Sequence, residues 1–253
     1  MNIQKDLDAL GVKDGDALFV HAGIKGLGAG PDDIIQALLA AVGDAGLVAM
    51  PGFSTDAYFP AHLSREAMTA AEIAKAEADV PGFDPKTSPT DGMGVLAERF
   101  RTWPGTLRSG HPTISVCAHG AGAEQVVAQH PLDWACGPDT PFGAFLRRPN
   151  AKVLLINVGW NRCSLLHTAE TLADPRRVKT RRVKHEGKWV ESPEVADDLG
   201  RLFPSVGAAF EDTGAVRTGP VGKAEARLCS APDLVDFGSE WISAANEASG
   251  DRA

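Results

Sequence analysis

A histidine that can take up a proton near neutral pH, set one helical turn from a carboxylate, is the feature of this sequence best suited to chemistry. It lies in Val158-Gly159-Trp160-Asn161-Arg162-Cys163-Ser164-Leu165-Leu166-His167-Thr168-Ala169-Glu170. An apolar run, Lys152 to Val158, empties through a glycine into a segment with helical character. Residues three apart on a helix project from nearly the same face, so Glu170 can reach His167. A neighbouring carboxylate can hold an imidazole in one tautomer or bind a cation itself. An H-x-x-E in isolation is more often a helix start with a hydrogen-bonded histidine, so the pair needs support from elsewhere in the chain.

Two further segments offer ligand chemistry. Arg108-Ser109-Gly110-His111-Pro112-Thr113-Ile114-Ser115 packs an arginine, hydroxyls and a His-Pro into the approach to a strand. Such groups suit a phosphate or the amides of a pantetheine arm, since arginine forks onto phosphate and exposed N–H groups accept anions; a polar loop leading into a strand is the plainer reading. Val20-His21-Ala22-Gly23-Ile24-Lys25-Gly26-Leu27-Gly28 is a strand end entering a glycine-rich loop. Its spacing is neither G-x-G-x-x-G nor a Walker pattern, which argues against dinucleotide and nucleoside triphosphate binding. Cys163 stands four residues before His167, the spacing an acyl-cysteine route would need, but it precedes the established helix. The other cysteines, Cys117, Cys136 and Cys229, form no C-x-x-C pair, so neither a disulfide framework nor a zinc site is expected.

The elements that must position these groups alternate between strand and helix. A short helix over 3–10 stops at Gly11, and Ala17 to Val20 is a buried strand. Pro31-Asp32-Asp33 opens a helix through Val42 with proline and acids in its first turn, and Leu47 to Met50 is the next strand. This is a strand–helix–strand unit of the α/β class. Residues 56–90 interrupt it with an alanine-rich helix (Glu66 to Glu77) and a turn-rich stretch, read as an insertion over one edge of the site. Then follow a helix from Gly92 to Phe100, a strand from Thr113 to Ala118 and a helix from Ala123 to Gln129. After the 152–158 strand come a helix from Ser164 to Leu172, a hairpin around Gly187 (183–190) and a helix around 195–212. Two short strands (216–218 and 224–229) and a last helix from Pro232 to about Ala245 complete the chain. With no repeat or linker, the 253 residues read as one domain.

Composition narrows the function classes. Thirty-three acidic against 25 basic residues give a net charge of −8, which disfavours nucleic-acid binding. An acidic surface is the usual route to solubility and would also concentrate a polycationic substrate. No stretch approaches the ~20 apolar residues of a membrane helix, and the first residues lack a secretory pattern, so a cytoplasmic protein is expected.

Taken in order, His21, Arg108-Ser109-x-His111-Pro112-x-x-Ser115, Pro138-x-x-Pro141, Leu154-Leu155, His167-x-x-Glu170 and Gly219-Pro220-Val221-Gly222-x-Ala224 resemble the aminoglycoside 3-N-acetyltransferase family, and Phe83-Asp84-Pro85-x-Thr87-Ser88-Pro89 fits as well. The resemblance spans nearly the whole chain. It implies an α/β fold with a central mixed sheet flanked by helices, distinct from the GNAT fold. It also implies acetyl transfer from acetyl-CoA to the 3-amine of a 2-deoxystreptamine ring, with antibiotic resistance as the outcome. No metal is implied, and the partner is a polycationic antibiotic acting on a monomer or homodimer. By the same resemblance His167 is the general base, a later carboxylate orients it (Asp198, with Asp197 as the alternative), and Glu170, Asp84 and Asp197 belong to the antibiotic pocket. Coenzyme A would meet His21, Ala22, Gly23, Ile24, Arg108, Ser109, His111, Thr113 and Ser115. The chain departs from the family where Ala22 and Gly23 replace two serines and Ser164 replaces a threonine. The oxyanion of the reaction is left to Ser109, Ser115 or a backbone N–H. Two other readings share the fold: acyl transfer to a different, biosynthetic amine, and a non-catalytic protein that sequesters the antibiotic.

Overall fold

The computed structural model describes residues 2–196 and 200–249; Asp197 and Asp198 lie outside the described residues. Among these a seven-stranded mixed sheet runs in the order β3-β4-β2-β1-β5-β9-β8. Its centre is parallel: β1 (Ala17–Ala22) lies between β2 (Leu47–Pro51) and β5 (Ala151–Ile156). The flanks are antiparallel, with β4 (Val116–Gly120) and β3 (Leu107–Arg108) on one side. On the other side stand β9 (Ala224–Ser230) and β8 (Arg217–Val221). The central strands are apolar at nearly every position because both sheet faces are covered.

Alternation along β1 divides the core in two. Ala17 and Phe19 point with Leu47, Ala49, Val116, Val153 and Leu155 to one face. That face carries α5 (Ala123–Val127), α6 (Pro141–Leu146), α7 (Leu166–Leu172), α8 (Phe203–Glu211) and α9 (Ala231–Ser249). Leu18 and Val20 point with Val48, Met50, Leu154 and Ile156 to the other, covered by α1 (Ile3–Leu10), α2 (Pro31–Val42) and α4 (Gly94–Arg101). His21 continues the first series and stacks on Phe19, ring centroids 5.3 Å apart.

The boundaries differ from the sequence reading where local hydrogen bonding overrides pattern. In the insertion, α3 starts at Ala70 and runs to Asp79, because Thr69 and Glu72 form a capping box. The hairpin is longer than expected: β6 (Val178–His185) pairs with β7 (Lys188–Val195) as a separate sheet. The expected helix from 195 therefore begins only at Phe203, where Pro204 occupies its first turn. The helix at Pro141 was not anticipated, although proline after Thr140 is a start signal. Gly143 is required there because a Cβ would collide with the Pro138 carbonyl. Hairpin and insertion are tied together: the Lys184 ammonium donates to the carbonyls of Glu77 (3.3 Å), Ala78 (3.2 Å) and Val80 (2.6 Å) at the end of α3.

The segment before β4 is held by its own polar side chains. Arg108 Nε donates to Ser115 Oγ (2.9 Å), and its two Nη groups donate to the carbonyls of Ser88 and Gly52. Ser115 Oγ donates to Gly52 O (2.6 Å). His111 Nδ1 accepts from the N–H groups of Thr113 (3.2 Å) and Ile114 (3.0 Å). Ser109 Oγ accepts from Val116 N–H and meets His130 Nδ1 at 2.8 Å, while His130 Nε2 donates to Ala135 O (2.8 Å). The strand accordingly starts at Val116 rather than Thr113.

The two imidazoles of this segment sit 4.7 Å apart. Burial, with His130 and Arg181 nearby, pushes His111 down to about 2; burial pushes His130 down to about 4. Both are neutral in the native state, whereas an unfolded chain protonates them near pH 6.5. Below that pH the unfolded state binds protons that the native state does not, so stability is lost as pH falls. Each ring contributes up to about 1.4 kcal/mol per pH unit between pH 6.5 and its folded value. Urea unfolding at pH 7, 6 and 5 should show this decline, and His130→Asn should flatten it; equal slopes in both proteins would show that His130 is not held neutral.

Candidate active site

Parallel pairing of β1 with β5 brings two loops to the same end of the sheet. Gly23 N–H extends the pairing to Ile156 O (2.9 Å). Asn157, with φ +55°, donates from Nδ2 to Gly23 O (2.7 Å) and Lys25 O (3.1 Å), fastening the glycine-rich loop to the end of β5. A Cβ on Gly23 would lie 3.0 Å from Asn157 O, so glycine suits this close approach. Beyond β5 a 3-10 turn (Trp160–Arg162) leads to Ser164 and then to α7. Trp160 locks that turn: its indole N–H donates to Glu211 Oε1 (2.6 Å), which also accepts from Arg227 Nε (2.7 Å).

His167 stands in the first turn of α7. Its Nδ1 is 2.8 Å from Glu170 Oε2, and Phe203 sets its ring edge-on at 4.8 Å between centroids. Glu170 is only 8% exposed, so its carboxylate points inward at the imidazole. A carboxylate accepts hydrogen bonds, so Nδ1 carries the proton and Nε2 is left with its lone pair. The turn before the helix is anchored from β1: Ser164 N–H donates to His21 Nε2 (2.9 Å), and Ser164 O accepts from His167 N–H (3.1 Å). His21 is 6% exposed, and burial, with His167 nearby, pushes it down to about 3. It is a neutral acceptor.

Two cavities meet here. The larger, about 450 Å³, contains His167 with Phe53, Tyr58, Asp91, Thr113 and Arg181 on its walls. The smaller, about 250 Å³, lies over the β1 loop and is lined by His21, Ala22, Gly23, Met50, Leu96 and Val158 among others. Met93, Arg162 and Ser164 line both and form the seam. Thr55 and Tyr58 also border a third space of about 590 Å³ under the insertion, where Asp56, Glu72 and Asp79 outnumber Lys75.

The expected site residues separate on this geometry. His167 lies in the larger cavity with Thr113, whose Oγ1 accepts from Arg181 Nη1 (2.9 Å). His21, Ala22 and Gly23 lie in the smaller one. Ile24 packs against the core beneath the β1 loop. Arg108, Ser109, His111 and Ser115 line neither space; their polar atoms are spent on the turn before β4, so they act on the framework and leave no group free for a cosubstrate. Asp84 is exposed and accepts from the N–H groups of Lys86 (2.7 Å) and Thr87 (3.1 Å), outside both cavities. Glu170, expected in the antibiotic pocket, is hydrogen-bonded to His167, while Asp198 and Asp197, to which the orienting part was given, lie outside the described residues. Cys163 is fully buried and burial pushes its thiol up to about 12, so a thiolate nucleophile is not available. Among the described residues no group of three or more His, Cys, Asp or Glu side chains could hold a metal, and no helix is long and apolar enough to cross a membrane.

Sequence reasoning missed Arg181, Arg162 and Phe203. Alternation along β6 puts Arg181 on the same buried side as Val183, a signal that was legible. Arg162 and Ser164 lie within the His167 segment, but that they join Met93 between two cavities is set only by the fold.

Comparison with known proteins agrees with this architecture. The sequence model of the aminoglycoside 3-N-acetyltransferase family matches residues 19–243. Aminoglycoside N(3)-acetyltransferase VII of Streptomyces paromomycinus is 35% identical, covering 95% of this chain and 90% of that protein. The structure of AAC-IIIb in binary complex with CoASH superposes with a TM-score of 0.84 at 34% identity, over 96% of this chain and 95% of the other. That of AAC-VIa bound to sisomicin gives 0.83 at 31%, over 96% of each. With a match of this extent in sequence and in fold, the chain belongs to the aminoglycoside 3-N-acetyltransferase family, acyltransferases that use acetyl-CoA as cosubstrate.

Proposed function

We propose that this protein moves the acetyl group of acetyl-CoA onto the 3-amine of the 2-deoxystreptamine ring of an aminoglycoside, in a ternary complex with His167 as general base and Glu170 as the residue that orients it. The observation that carries the reading is the Glu170–His167 pair, whose imidazole lines the larger cavity, while Met93, Arg162 and Ser164 line both that cavity and the smaller one. The smaller cavity is walled by apolar side chains and backbone, which suits a pantetheine arm, and Arg162 at its edge suits a phosphate. The larger holds the imidazole, and relatives with the same fold bind CoASH and sisomicin.

The chemistry follows from the substrate. An aminoglycoside amine is largely protonated at neutral pH, and the fraction that has lost one proton to solvent is the form that attacks. His167 Nε2 receives the further proton released as the neutral nitrogen closes on the thioester carbon, and Glu170 offsets the charge that develops on the ring. General-base assistance is worth roughly 10²–10⁴-fold, and alignment of both substrates contributes at least as much. A thioester is already activated, so no protein nucleophile is needed. Acetylation removes one cationic group from the antibiotic, which is the basis of resistance.

His167→Ala should lower kcat by at least 100-fold with coenzyme A affinity, measured by calorimetry, nearly unchanged; wild-type turnover in that variant would reject the base. Glu170→Gln keeps the shape but removes the charge, and should lower kcat by tens-fold with little change in the aminoglycoside KM. A raised KM at unchanged kcat would return Glu170 to substrate binding.

One observation favours a second reading, the same transfer to a different amine. Arg181 is 8% exposed within the His167 cavity, and among the described residues its guanidinium has one hydrogen bond, to Thr113. A buried cation favours a substrate that brings an anion. Free-thiol release from acetyl-CoA, compared between aminoglycosides and amines bearing a carboxylate or phosphate, distinguishes the two. Turnover confined to aminoglycosides upholds the first.

A further inference from the structure

Attack on a thioester puts negative charge on the carbonyl oxygen, and the groups expected to receive it, Ser109 and Ser115, have their hydroxyls committed elsewhere in the protein. The reacting carbonyl must sit where the two cavities join, because the thioester arrives through one and the amine through the other. The side chains that line both cavities are the ones best placed to reach its oxygen. The Met93 side chain has no donor. Arg162 is exposed, where water and salt screen its charge. Ser164 remains.

Ser164 is 7% exposed and lines both cavities. Its amide is occupied by His21 Nε2 and its carbonyl by His167 N–H. Its hydroxyl has no hydrogen-bond partner among the described residues, and it is not one of the sealed, partnerless atoms of the core. An enclosed hydroxyl with fixed backbone and a free proton is poised to donate to whatever enters the seam.

We propose, resting on the acetyl-transfer reading above, that Ser164 Oγ–H is the side-chain donor that stabilises the oxyanion. The amine nitrogen forms a bond to the thioester carbon as the C=O π pair moves onto oxygen, which Ser164 receives by hydrogen bond. His167 Nε2 takes the proton released by nitrogen. The oxygen pair then returns, the C–S bond breaks, and the departing sulfur takes the proton from His167, giving amide and free coenzyme A. A donor aimed at developing charge acts chiefly in the transition state, and its removal costs about 10²–10³ in kcat. Ser164 thus has a catalytic role that its helix-start position conceals.

The test uses Ser164→Ala, which keeps both backbone hydrogen bonds. Steady-state kinetics of acetyl transfer should show kcat lowered 100-fold or more, with KM for the aminoglycoside and calorimetric affinity for coenzyme A within about threefold of wild type. Ser164→Thr, which restores a hydroxyl, should recover turnover to within tenfold, and this rescue separates a donor from a packing role even where the alanine variant folds poorly. Wild-type kcat in Ser164→Ala beside an inactive His167→Ala overturns the oxyanion role and leaves the base intact. Full activity in both overturns both. A Ser164→Ala defect expressed only as raised KM also overturns the proposal, since it assigns the hydroxyl to ground-state binding.

Discussion

The site depends on the side-by-side, parallel pairing of β1 with β5, in register from Ala17 opposite Ala151 to Ala22 opposite Ile156. Parallel neighbours end at the same edge of a sheet, so the loop after one strand must lie beside the loop after the other, where ligands of open α/β sheets collect. Here one loop brings His21 and glycine-lined backbone, and the other brings Ser164 and the helix of His167. The Ser164–His21 hydrogen bond closes the join between them. Slip of that register by one residue would turn His21 to the opposite face of the sheet and leave the Ser164 amide without its acceptor.

Much of this was legible in the chain, for identifiable reasons. The central strands announce themselves because burial on both faces removes polar residues from them. Pro31 and its two acids mark a helix start that the backbone obeys. His167 and Glu170 were visible as a pair because helical spacing alone makes them neighbours. Which group the carboxylate touches was not visible: spacing permits Glu170 to face either the imidazole or open space, and the fold turns it to the imidazole. The R-S-x-H-P-x-x-S segment was ambiguous for a related reason. Arginine, serine and histidine bind ligands in solution-facing loops, but the same groups satisfy buried carbonyls and amides when a turn must be fixed inside the protein. Their types were informative about hydrogen bonding and silent about the partner.

The insertion and the hairpin show what pattern cannot supply. Neither belongs to the main sheet, yet together they wall the larger cavity. Lys184 satisfies three carbonyls at the end of α3, and Glu77 of that helix receives both Arg65 (2.8 Å) and Arg182 (3.0 Å). A helix that buries none of its side chains is held by these polar ties. Asp56, with Glu72 and Asp79 of the helix itself, borders the space under the insertion, which shares Thr55 and Tyr58 with the cavity of His167. The cavity of His167 itself carries Arg181 and Arg162 with Asp91, so the acids lie mainly in the neighbouring space and the cations in this one.

That placement of charge bears on the proton. A base that accepts a proton from an amine becomes an imidazolium for the lifetime of the tetrahedral species, and a second cation close by would raise that barrier. His21 is one group that could carry such a charge, since its ring lies close enough to interact electrostatically with His167. Burial on Phe19 and donation from the Ser164 amide both keep it neutral: the first penalises its charged form, and the second requires a lone pair at Nε2. The cost is an Nδ1 hydrogen that finds no partner among the described residues, the kind of local deficit a fold tolerates where an arrangement matters more than stability. On the proposed mechanism, one imidazole is held as an acceptor so that its neighbour can change charge, with Glu170 supplying the compensating carboxylate from within the same helix.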